Sequence, residues 1–454
     1  MTIPHAMMPP GRVQLALFCL CILTLPTRPT LAETGSLTIP LGQPIGQTLD
    51  TVRKTDTSAT ISKRIGCPWP AIVSFNRWPS LERPPTGTAI RIPKPCKSTA
   101  KPNVSSQQSN KQTAFVPCSW TKTDIDSKKL KQTLDQLGFQ PPAKFRALIV
   151  ETTLGDKTGR APDQRVFDYG GLSYSNEWNP ASTIKIFPAA AAAERLEALG
   201  FNANTNVTFH YDQKAQQTNV KRLFHDALHR SDNIAHNQLV DLAGFRHLNG
   251  PRGTIARLGL EQTFIMRAYA QKTWKRMGRR PSLRTSPQIT LQSKDRGQHV
   301  LAEQTDGAAY PCKKAACSTP NDLAQMMCRT VLHEQLPPSA RLRLQANSTN
   351  QHSLLSLFRR CLFSECGGRY RKRPSMIKQL RDKFFHEDED YFIYRKAGYS
   401  LGWRSENLVI EDLRLNRVWT ITLAAYGGES ARAARKVLED AMEMIARIIY
   451  EGYL

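Results

Sequence analysis

The 454-residue sequence is short of acidic residues. Only 38 Asp and Glu residues stand against 63 Lys and Arg residues, which gives a formal net charge of +25. A cationic surface attracts anionic partners, so this imbalance favours nucleic acid, a membrane surface or an acidic wall polymer. The alternative is a basic soluble protein whose lysines are simply solvated.

Long apolar runs are also missing after the N-terminus, which argues against a membrane-spanning segment there. The one apolar run, "VQLALFCLCILTL", follows Arg12 and precedes the small residues Thr30 and Ala32. A positive residue, a short apolar core and a small-residue cleavage site are typical of a secretory signal. The sequence therefore predicts a signal peptide over residues 1–32, export to the periplasm or cell envelope, and no transmembrane anchor after cleavage.

The cysteines form no C-x-x-C pair and the histidines are not at ligand spacing, so we expect disulfides rather than zinc, and no metal or cofactor. An even number of cysteines remains after the signal, as is usual in exported proteins with disulfides. Cys312/Cys317 and Cys361/Cys366 are short-loop candidates, Cys67/Cys96 is a candidate in the N-terminal module, and the connectivity stays open. The eight residues are Cys67, Cys96, Cys118, Cys312, Cys317, Cys328, Cys361 and Cys366.

Residues 36–96 have the composition of a small module. We expect a short helix that starts at "GQTLDTV" and ends at "ISKRIG", a second helix at "PAIVSFNRW", and a turn and strand at "PPTGTAIRIP". The apolar helix that runs into Asn76, with the turn and strand after it, resembles a LysM module. That resemblance implies binding to N-acetylglucosamine polymers such as peptidoglycan; a disulfide-linked spacer is the alternative. Residues 97–117 are polar and indicate a linker.

Residues 118–454 alternate predicted strands and helices. "FRALIVETT" and "RVFDYGG" come early, several helical segments follow, and "FIYRKAGYSLG", "ENLVIED" and "RVWTITLAAYG" come late, before an amphipathic C-terminal helix. This order predicts an α/β (α+β) fold in which an antiparallel sheet, built from both ends of the domain, is flanked by helices. The middle of the domain then forms a helical lobe.

Serine–lysine pairs three residues apart occur four times, beginning at Ser98, Ser119, Ser182 and Ser375. Such a pair shares one helix face, and a lysine with a lowered pKa can take the proton of the serine. The pair at Ser182 opens a run of strong helix formers, "IFPAAAAAERLEAL". An N-capping serine beside a surface lysine is the simpler interpretation of that pair alone.

Two later motifs favour the catalytic interpretation of Ser182. Ser231-Asp232-Asn233 stands at a predicted helix start, and Lys396-Ala397-Gly398 stands on a late strand. The order S-x-x-K, S-D-N and K-T-G is that of class A β-lactamases and penicillin-binding proteins. Only Ser182 fits this order, because Ser375 follows S-D-N and Ser119 precedes the first strand of the domain. Residues 118–454 thus resemble the serine β-lactamase and penicillin-binding protein superfamily, with a β-lactamase/transpeptidase-like fold.

The resemblance implies a catalytic role for each of five residues. Ser182 attacks a carbonyl and becomes acylated, and Lys185 is its general base. Ser231 relays a proton to the leaving nitrogen, Asn233 contacts Lys185 and the substrate amide, and Lys396 supplies positive charge. The aspartate of S-D-N, Asp232, is expected to be structural.

The resemblance also implies a substrate-binding strand. Gly398 lets the strand approach the substrate, and the backbone N–H groups of Ser182 and Tyr399 form an oxyanion hole. Ala397 departs from the family pattern because it lacks the hydroxyl that binds a substrate carboxylate, for which Ser400 is a substitute. No E-x-x-L-N loop follows S-D-N; Glu261 and Glu303 are weak candidates for the glutamate that clears the acyl group.

The sequence therefore predicts an exported serine hydrolase that forms an acyl-enzyme on Ser182 with a β-lactam or a D-Ala-containing peptide of peptidoglycan. A D-alanyl-D-alanine carboxypeptidase or endopeptidase, and a wall-binding protein or β-lactam sensor without turnover, are the alternatives. The basic runs 271–284 and 369–374 are candidates for contact with an anionic wall polymer or lipopolysaccharide. The export signal argues against nucleic acid, and we expect His225, His229 and His236 to be surface or core residues.

Overall fold

A computed structural model describes most of the chain after the N-terminal region. The described residues are 49–51, 55–65, 72, 89–91, 115–155, 161–266, 271–278, 284–306, 310–312, 315–345, 353–363, 391–400, 402–413, 415–428 and 430–454. The chain divides into two units, Met1–Gly46 and Gln47–Leu454, and the described residues belong to the second. The predicted signal peptide lies outside them.

The N-terminal module is described only in part. Strands β1 (Leu49–Thr51) and β2 (Ala89–Arg91) pair antiparallel, and helix α1 (Ser58–Ile65) lies between them in the chain. The strand predicted at "AIRIP" is therefore confirmed, whereas a helix beginning at "GQTLDTV" is wrong, because Leu49–Thr51 pairs with β2 and the hydroxyl of Thr57 accepts the Thr60 N–H at the helix start. Asn76, Cys67, Cys96 and most of the linker lie outside the described residues, so the LysM resemblance stays a prediction.

The main sheet has six strands in the order β14-β15-β16-β4-β5-β3, and all neighbours are antiparallel except β3 and β5. This arrangement confirms the predicted antiparallel sheet built from both ends of the domain. The strands of this sheet are β3 (Ile125–Asp126), β4 (Arg146–Thr153), β5 (Asp163–Asp168), β14 (Tyr391–Ser400), β15 (Trp403–Asp412) and β16 (Arg417–Tyr426).

Helices cover both faces of this sheet and form the lobe beside it. They are α2 (Lys129–Gln136), α3 (Ile186–Ala198), α4 (Val220–Phe224), α5 (Asn233–Ala243), α6 (Phe245–Asn249), α7 (Thr254–Arg257), α8 (Gln271–Met277), α9 (Pro320–Val331), α10 (Leu354–Leu362) and α11 (Ala431–Glu451). Shorter helical turns span Lys122–Asp124, Ala181–Lys185, His225–His229, His333–Gln335 and Pro338–Ala340. Among the described residues, no helix has the length and apolarity that a membrane crossing needs.

Successive side chains of a strand point to opposite faces of the sheet. The core therefore has two layers, one on each face. Leu148 and Val150 of β4 join the layer that contains the alanine run of α3, whereas Ala147 and Ile149 join the layer under α11. Helix α3 is buried along its first nine residues, and its small side chains allow close packing against α5. Helix α3 therefore packs against α5, and the helical turn before it lies against strands β14 and β15 at the sheet edge.

The lobe also contains elements that the sequence did not predict. A four-stranded antiparallel sheet has the order β11-β10-β6-β7, and two short strand pairs, β12-β9 and β13-β8, flank it. These strands are β6 (Asn206–His210), β7 (Ala215–Asn219), β8 (Phe264–Ile265), β9 (Thr285–Ser286), β10 (Gln288–Ser293), β11 (Gly297–Leu301), β12 (Gln304–Thr305) and β13 (Ala316–Cys317).

Two disulfides hold the described domain. Cys312–Cys317 closes a short loop, as the sequence predicted. Cys118–Cys328, which spacing could not predict, joins the start of the domain to α9 across 210 residues of sequence. Cys361 is buried on α10, and Cys366 lies outside the described residues.

Candidate active site

Ser182 lies in the helical turn Ala181–Lys185, which leads directly into α3. The helical conformation expected around Ser182 is present, with a tighter helical turn over Ala181–Lys185 before the α-helix begins at Ile186. Pro188 explains the difference, because it has no N–H to bond to the carbonyl of Ile184, and proline is tolerated only in the first turn of a helix. Ala181 has a φ of 50°, and its N–H is bonded to Asn179 Oδ1 at 2.9 Å. The backbone before Ser182 is thus fixed in a conformation that L-residues rarely adopt.

Lys185 is fully buried one turn after Ser182. Its Nζ donates hydrogen bonds to the backbone carbonyls of Ser231 (2.6 Å) and Asp232 (3.1 Å) and to Asn233 Oδ1 (2.7 Å). Burial, and then the charge of Lys396, lowers the pKa of Lys185 to about 6, although Asp232 opposes the shift. Lys185 is therefore largely neutral at pH 7, which is the form that can accept a proton.

The S-D-N motif forms the turn that receives Lys185. Asp232 caps α5 by accepting the Ala235 N–H at Oδ1 (2.8 Å), so Asn233 becomes the first helical residue and its side chain reaches Lys185. Ser231 has a φ of 58°, which directs its carbonyl to Lys185. The carboxylate of Asp232 is thus engaged with the helix end, in agreement with its expected structural role.

Lys396 approaches the same turn from strand β14. It is only 2% exposed, and its Nζ donates to Ser231 Oγ and to the Ala397 carbonyl, both at 3.0 Å. Burial and then the charge of Arg395 lower the pKa of Lys396 to about 7, while Glu406 opposes the shift. Ser231 is therefore in contact with both lysines, through its carbonyl with Lys185 and through its hydroxyl with Lys396.

Gly398 lets β14, the edge strand of the sheet, pack against the turn that carries Ser182. A Cβ at this position would lie 2.7 Å from the Pro180 carbonyl oxygen, 3.0 Å from Ser182 N and 2.4 Å from Ser405 Oγ. Ser405 in turn donates to the Pro180 carbonyl at 3.0 Å. A glycine is thus required at this position by the close approach of the turn that carries Ser182. The expected approach of Gly398 to the substrate stays a prediction.

Gly398→Ala should therefore move the turn that carries Ser182 away from β14. We expect the rate of acylation of Ser182 to fall about a hundredfold, because displacements of the order of 1 Å at a reacting group cost about that factor. The measurement is the acylation rate with a fluorescent penicillin, with Gly297→Ala, in an open surface hairpin, as the control. An unchanged rate in Gly398→Ala would contradict this packing argument.

Tyr399 and Ser400 follow on the same strand. Tyr399 is 49% exposed, with the Arg404 guanidinium 3.9 Å from its ring centre, and Ser400 is partly buried opposite Trp403. Both residues thus lie beside Gly398 at the open edge of the sheet. Their oxyanion and carboxylate-binding roles stay predictions.

The candidate deacylation glutamates do not lie in this cluster. Glu261 is exposed between α7 and β8, and Glu303 is exposed between β11 and β12. Asp232 favours the charged form of Lys185, but its carboxylate is engaged with the start of α5. The deacylation role of either glutamate stays a prediction.

The histidines at 225, 229 and 236 lie in two different places. His225 and His229 stack with ring centres 5.2 Å apart on the turn His225–His229, whereas His236 is buried on α5. Burial, followed by the charges of Lys185 and Lys396, lowers the pKa of His236 well below its usual value, so this imidazole is neutral. In the described ranges, no group of histidine, cysteine and acidic side chains has the arrangement of a metal site.

The structure describes part of the first basic run and none of the second. Helix α8 lies within 271–284 and exposes Lys275 and Arg276, whereas 369–374 lies outside the described residues. Contact of either run with an anionic polymer stays a prediction.

The sequence missed three residues around the cluster: Ser405, Arg395 and Glu406. Each depends on the pairing of β14 with β15, which places Ser405 opposite Gly398 and Glu406 opposite Ala397. The tight turn at Gly402 between two predicted strands was the signal that could have set this register.

Residues 163–452 match a family model described as the beta-lactamase enzyme family. Similar solved structures include a beta-lactamase from Sphaerobacter thermophilus, which is 16% identical with a TM-score of 0.42 over 72% of this chain and 98% of that one. A class A beta-lactamase from Bacteroides cellulosilyticus is 11% identical, with a TM-score of 0.41 over 72% and 97%. An acyl-enzyme complex of a PBP-A mutant with penicillin G is 14% identical, with a TM-score of 0.40 over 72% and 98%. No curated protein matches the chain.

Proposed function

The chain belongs to the beta-lactamase enzyme family, and we propose that it is an exported serine hydrolase that forms an acyl-enzyme on Ser182. The observation that carries the proposal is the environment of Lys185: a fully buried amine one turn from Ser182, bonded to all three residues of S-D-N. Burial of this depth keeps the amine neutral, and a neutral amine is a base. A surface lysine beside a capping serine has no such environment.

The acylation step uses this base. The proton of the Ser182 hydroxyl moves to Lys185 Nζ as Oγ attacks the amide carbonyl of the substrate. The negative charge that develops on the carbonyl oxygen is stabilised by the backbone N–H groups of Ser182 and Tyr399. Such donors act best when they are fixed in advance, as the packing of β14 against the nucleophile turn provides.

The second half of the step breaks the substrate C–N bond. The leaving nitrogen takes the hydroxyl proton of Ser231, and Lys396 replaces that proton through its hydrogen bond to Ser231 Oγ. Lys185 then holds the proton of Ser182, Lys396 has lost one, and the amine leaves neutral. Asn233 holds Lys185 in place and is available to the substrate amide.

We infer that the peptidoglycan stem peptide ending in D-alanine is the substrate that turns over, and that a β-lactam acylates the same serine. No acidic residue occurs in the sequence between Glu261 and Asp295, where the family places its deacylation glutamate. Without that base, water clears a penicilloyl group slowly. The β-lactam adduct is therefore expected to be long-lived.

Export and wall binding belong to the same proposal. Two disulfides in the described domain suit an oxidising compartment such as the periplasm. The signal over 1–32 would take the chain there. The LysM-like residues 36–96 and the basic runs would hold it on peptidoglycan and on anionic wall polymer or lipopolysaccharide.

A β-lactam sensor without turnover is the second candidate. The lack of an acidic residue between Glu261 and Asp295 favours it, because an acyl group that is not cleared can persist as a signal. In that case acylation of Ser182 is the signal and hydrolysis is not required.

The test compares product release from two substrates. The mature chain is incubated with a stem peptide ending in D-Ala-D-Ala and, separately, with benzylpenicillin, and free D-alanine and penicilloate are measured. We expect D-alanine release that Ser182→Ala reduces at least about a thousandfold and Ser119→Ala, in an exposed S-x-x-K pair, leaves unchanged. Acylation without D-alanine release would favour the sensor, and D-alanine release that survives in Ser182→Ala would contradict the proposal.

A further inference from the structure

The ammonium group of Lys396 has an unusual electrostatic position. It is buried, its hydrogen bonds go to a hydroxyl and a carbonyl, and the preceding residue is the cation Arg395. Arg395 and Lys396 are neighbouring cations. Their repulsion raises the free energy of the protonated form of the buried Lys396. Something close to Arg395 must offset this charge if Lys396 is to work as a proton donor.

Glu406 occupies that position. Arg395 Nε and Nη2 donate to its two carboxylate oxygens at 2.7 and 2.6 Å, which is the strong two-point geometry of an arginine–carboxylate pair. The Glu406 side chain is 9% exposed and that of Arg395 is 27% exposed, so the pair is largely protected from solvent. The interaction is therefore stronger than that of a surface ion pair.

The strand register explains why the pair forms under Lys396. Ile393 and Leu408 belong to the core layer under α11, and Arg395 and Glu406 are two residues along from them on the same face. Lys396 points to the opposite face, where it meets Ser231. The pair thus joins the edge strand to its one sheet neighbour at the position of Lys396, directly behind the candidate site.

Other charged groups near Lys396 do not provide this compensation. On the lobe side lie the neutral His236, the exposed His229 and Lys185, and Asp232 is engaged with the helix end. From α10, Arg359 acts on Tyr394, two residues earlier on β14. The charge of Arg395 disfavours the charged form of Lys396, and the charge of Glu406 favours it.

We propose that Arg395 and Glu406 are positioning residues for the proton transfer through Lys396: their ion pair fixes β14 at the site and sets the positive charge that Lys396 experiences. This inference rests on the proposed acylation of Ser182. It adds a pair of residues on the far face of the sheet that touch no substrate.

The test uses Arg395→Gln, Glu406→Gln and the double variant in the full chain. The acylation rate with a fluorescent penicillin is measured against pH, and the titration of Lys396 is followed by NMR of [ε-13C]lysine-labelled protein, with Lys396→Arg to assign the signal. Because Lys396 must be charged to supply a proton, the alkaline limb of the rate profile should follow its titration. Arg435→Gln, in an exposed pair on α11, is the control and should move neither.

We expect opposite shifts from the two single variants. Glu406→Gln leaves Arg395 unopposed and should move both the titration and the alkaline limb down by about one pH unit, whereas Arg395→Gln should move both up by a similar amount. The double variant should return close to the original position. A structural role alone would lower the rate in both single variants without opposite shifts, and that result, or shifts of the same sign, would overturn the proposal.

The NMR arm separates this inference from the proposed function. If the unmodified protein takes no acyl group, the proposed function fails, but opposite shifts of the Lys396 titration would still support the electrostatic role of the pair. If acylation occurs and Lys396 does not shift in the single variants, the pair has no such role and the proposed function stands.

Discussion

Lys185→Met should lower the rate of acylation of Ser182 by about 10²–10⁴-fold, the usual contribution of a general base. Methionine fills the buried channel of the lysine side chain without its amine, so the turn should keep its fold while the base is lost. The measurement is the second-order rate of adduct formation with a fluorescent penicillin at pH 7. Lys122→Met, which alters the exposed S-x-x-K pair at Ser119, is the matched control and should have no effect.

The pH profile of the unmodified protein adds a second readout to this prediction. Because Lys185 must be neutral to accept the proton, and burial lowers its pKa to about 6, the rate should rise as the pH passes through about 6. In Lys185→Met this acid limb should disappear. A variant that keeps both its rate and its acid limb would show that another group takes the proton of Ser182.

Replacing both Cys118 and Cys328 with alanine should lower the free energy of unfolding by about 3–5 kcal/mol. This disulfide spans 210 residues of sequence, and a cross-link restricts the unfolded chain more as its loop lengthens. Both sulfurs are buried, and α9, which carries Cys328, packs against the sheet. The measurement is denaturant unfolding of the oxidised protein and of the variant.

The Cys312–Cys317 disulfide is the matched control, because its two cysteines are only five residues apart in the sequence. The same double substitution there should cost less stability, since the loop is short. A larger loss at Cys312/Cys317 than at Cys118/Cys328 would contradict the argument that the longer loop stabilises the domain more.

Much of the fold could be predicted because local patterns and global packing agree. Strands β14, β15 and β16 and helix α11 have the strand and helix periodicities that the final sheet uses, and chain order alone placed the three motifs at one site. The change from a tighter helical turn to an α-helix at Ile186 could not be placed by helix propensity, because it depends on the position of Pro188. The β6–β7–β10–β11 sheet was missed because its strands are short and lie far apart in the sequence.

The candidate site shows a similar division. Residue type and order predict Ser182, Lys185, Ser231, Asn233 and Lys396 as site residues, and the structure brings the last four together through hydrogen bonds. Burial could not be predicted from the motifs, although it is burial that lowers the pKa of Lys185 most. Nor could the Arg395–Glu406 pair, because it depends on strand register rather than on spacing along the chain.

The central claim is that Ser182, activated by Lys185, takes an acyl group. Its most direct test is intact-mass spectrometry of the mature protein with benzylpenicillin, followed by peptide mapping of the adduct. The account predicts one penicilloyl group per chain, located on the peptide that contains Ser182, absent in Ser182→Ala and present in Ser119→Ala. An adduct on a different residue, or one that forms equally in Ser182→Ala, would contradict it.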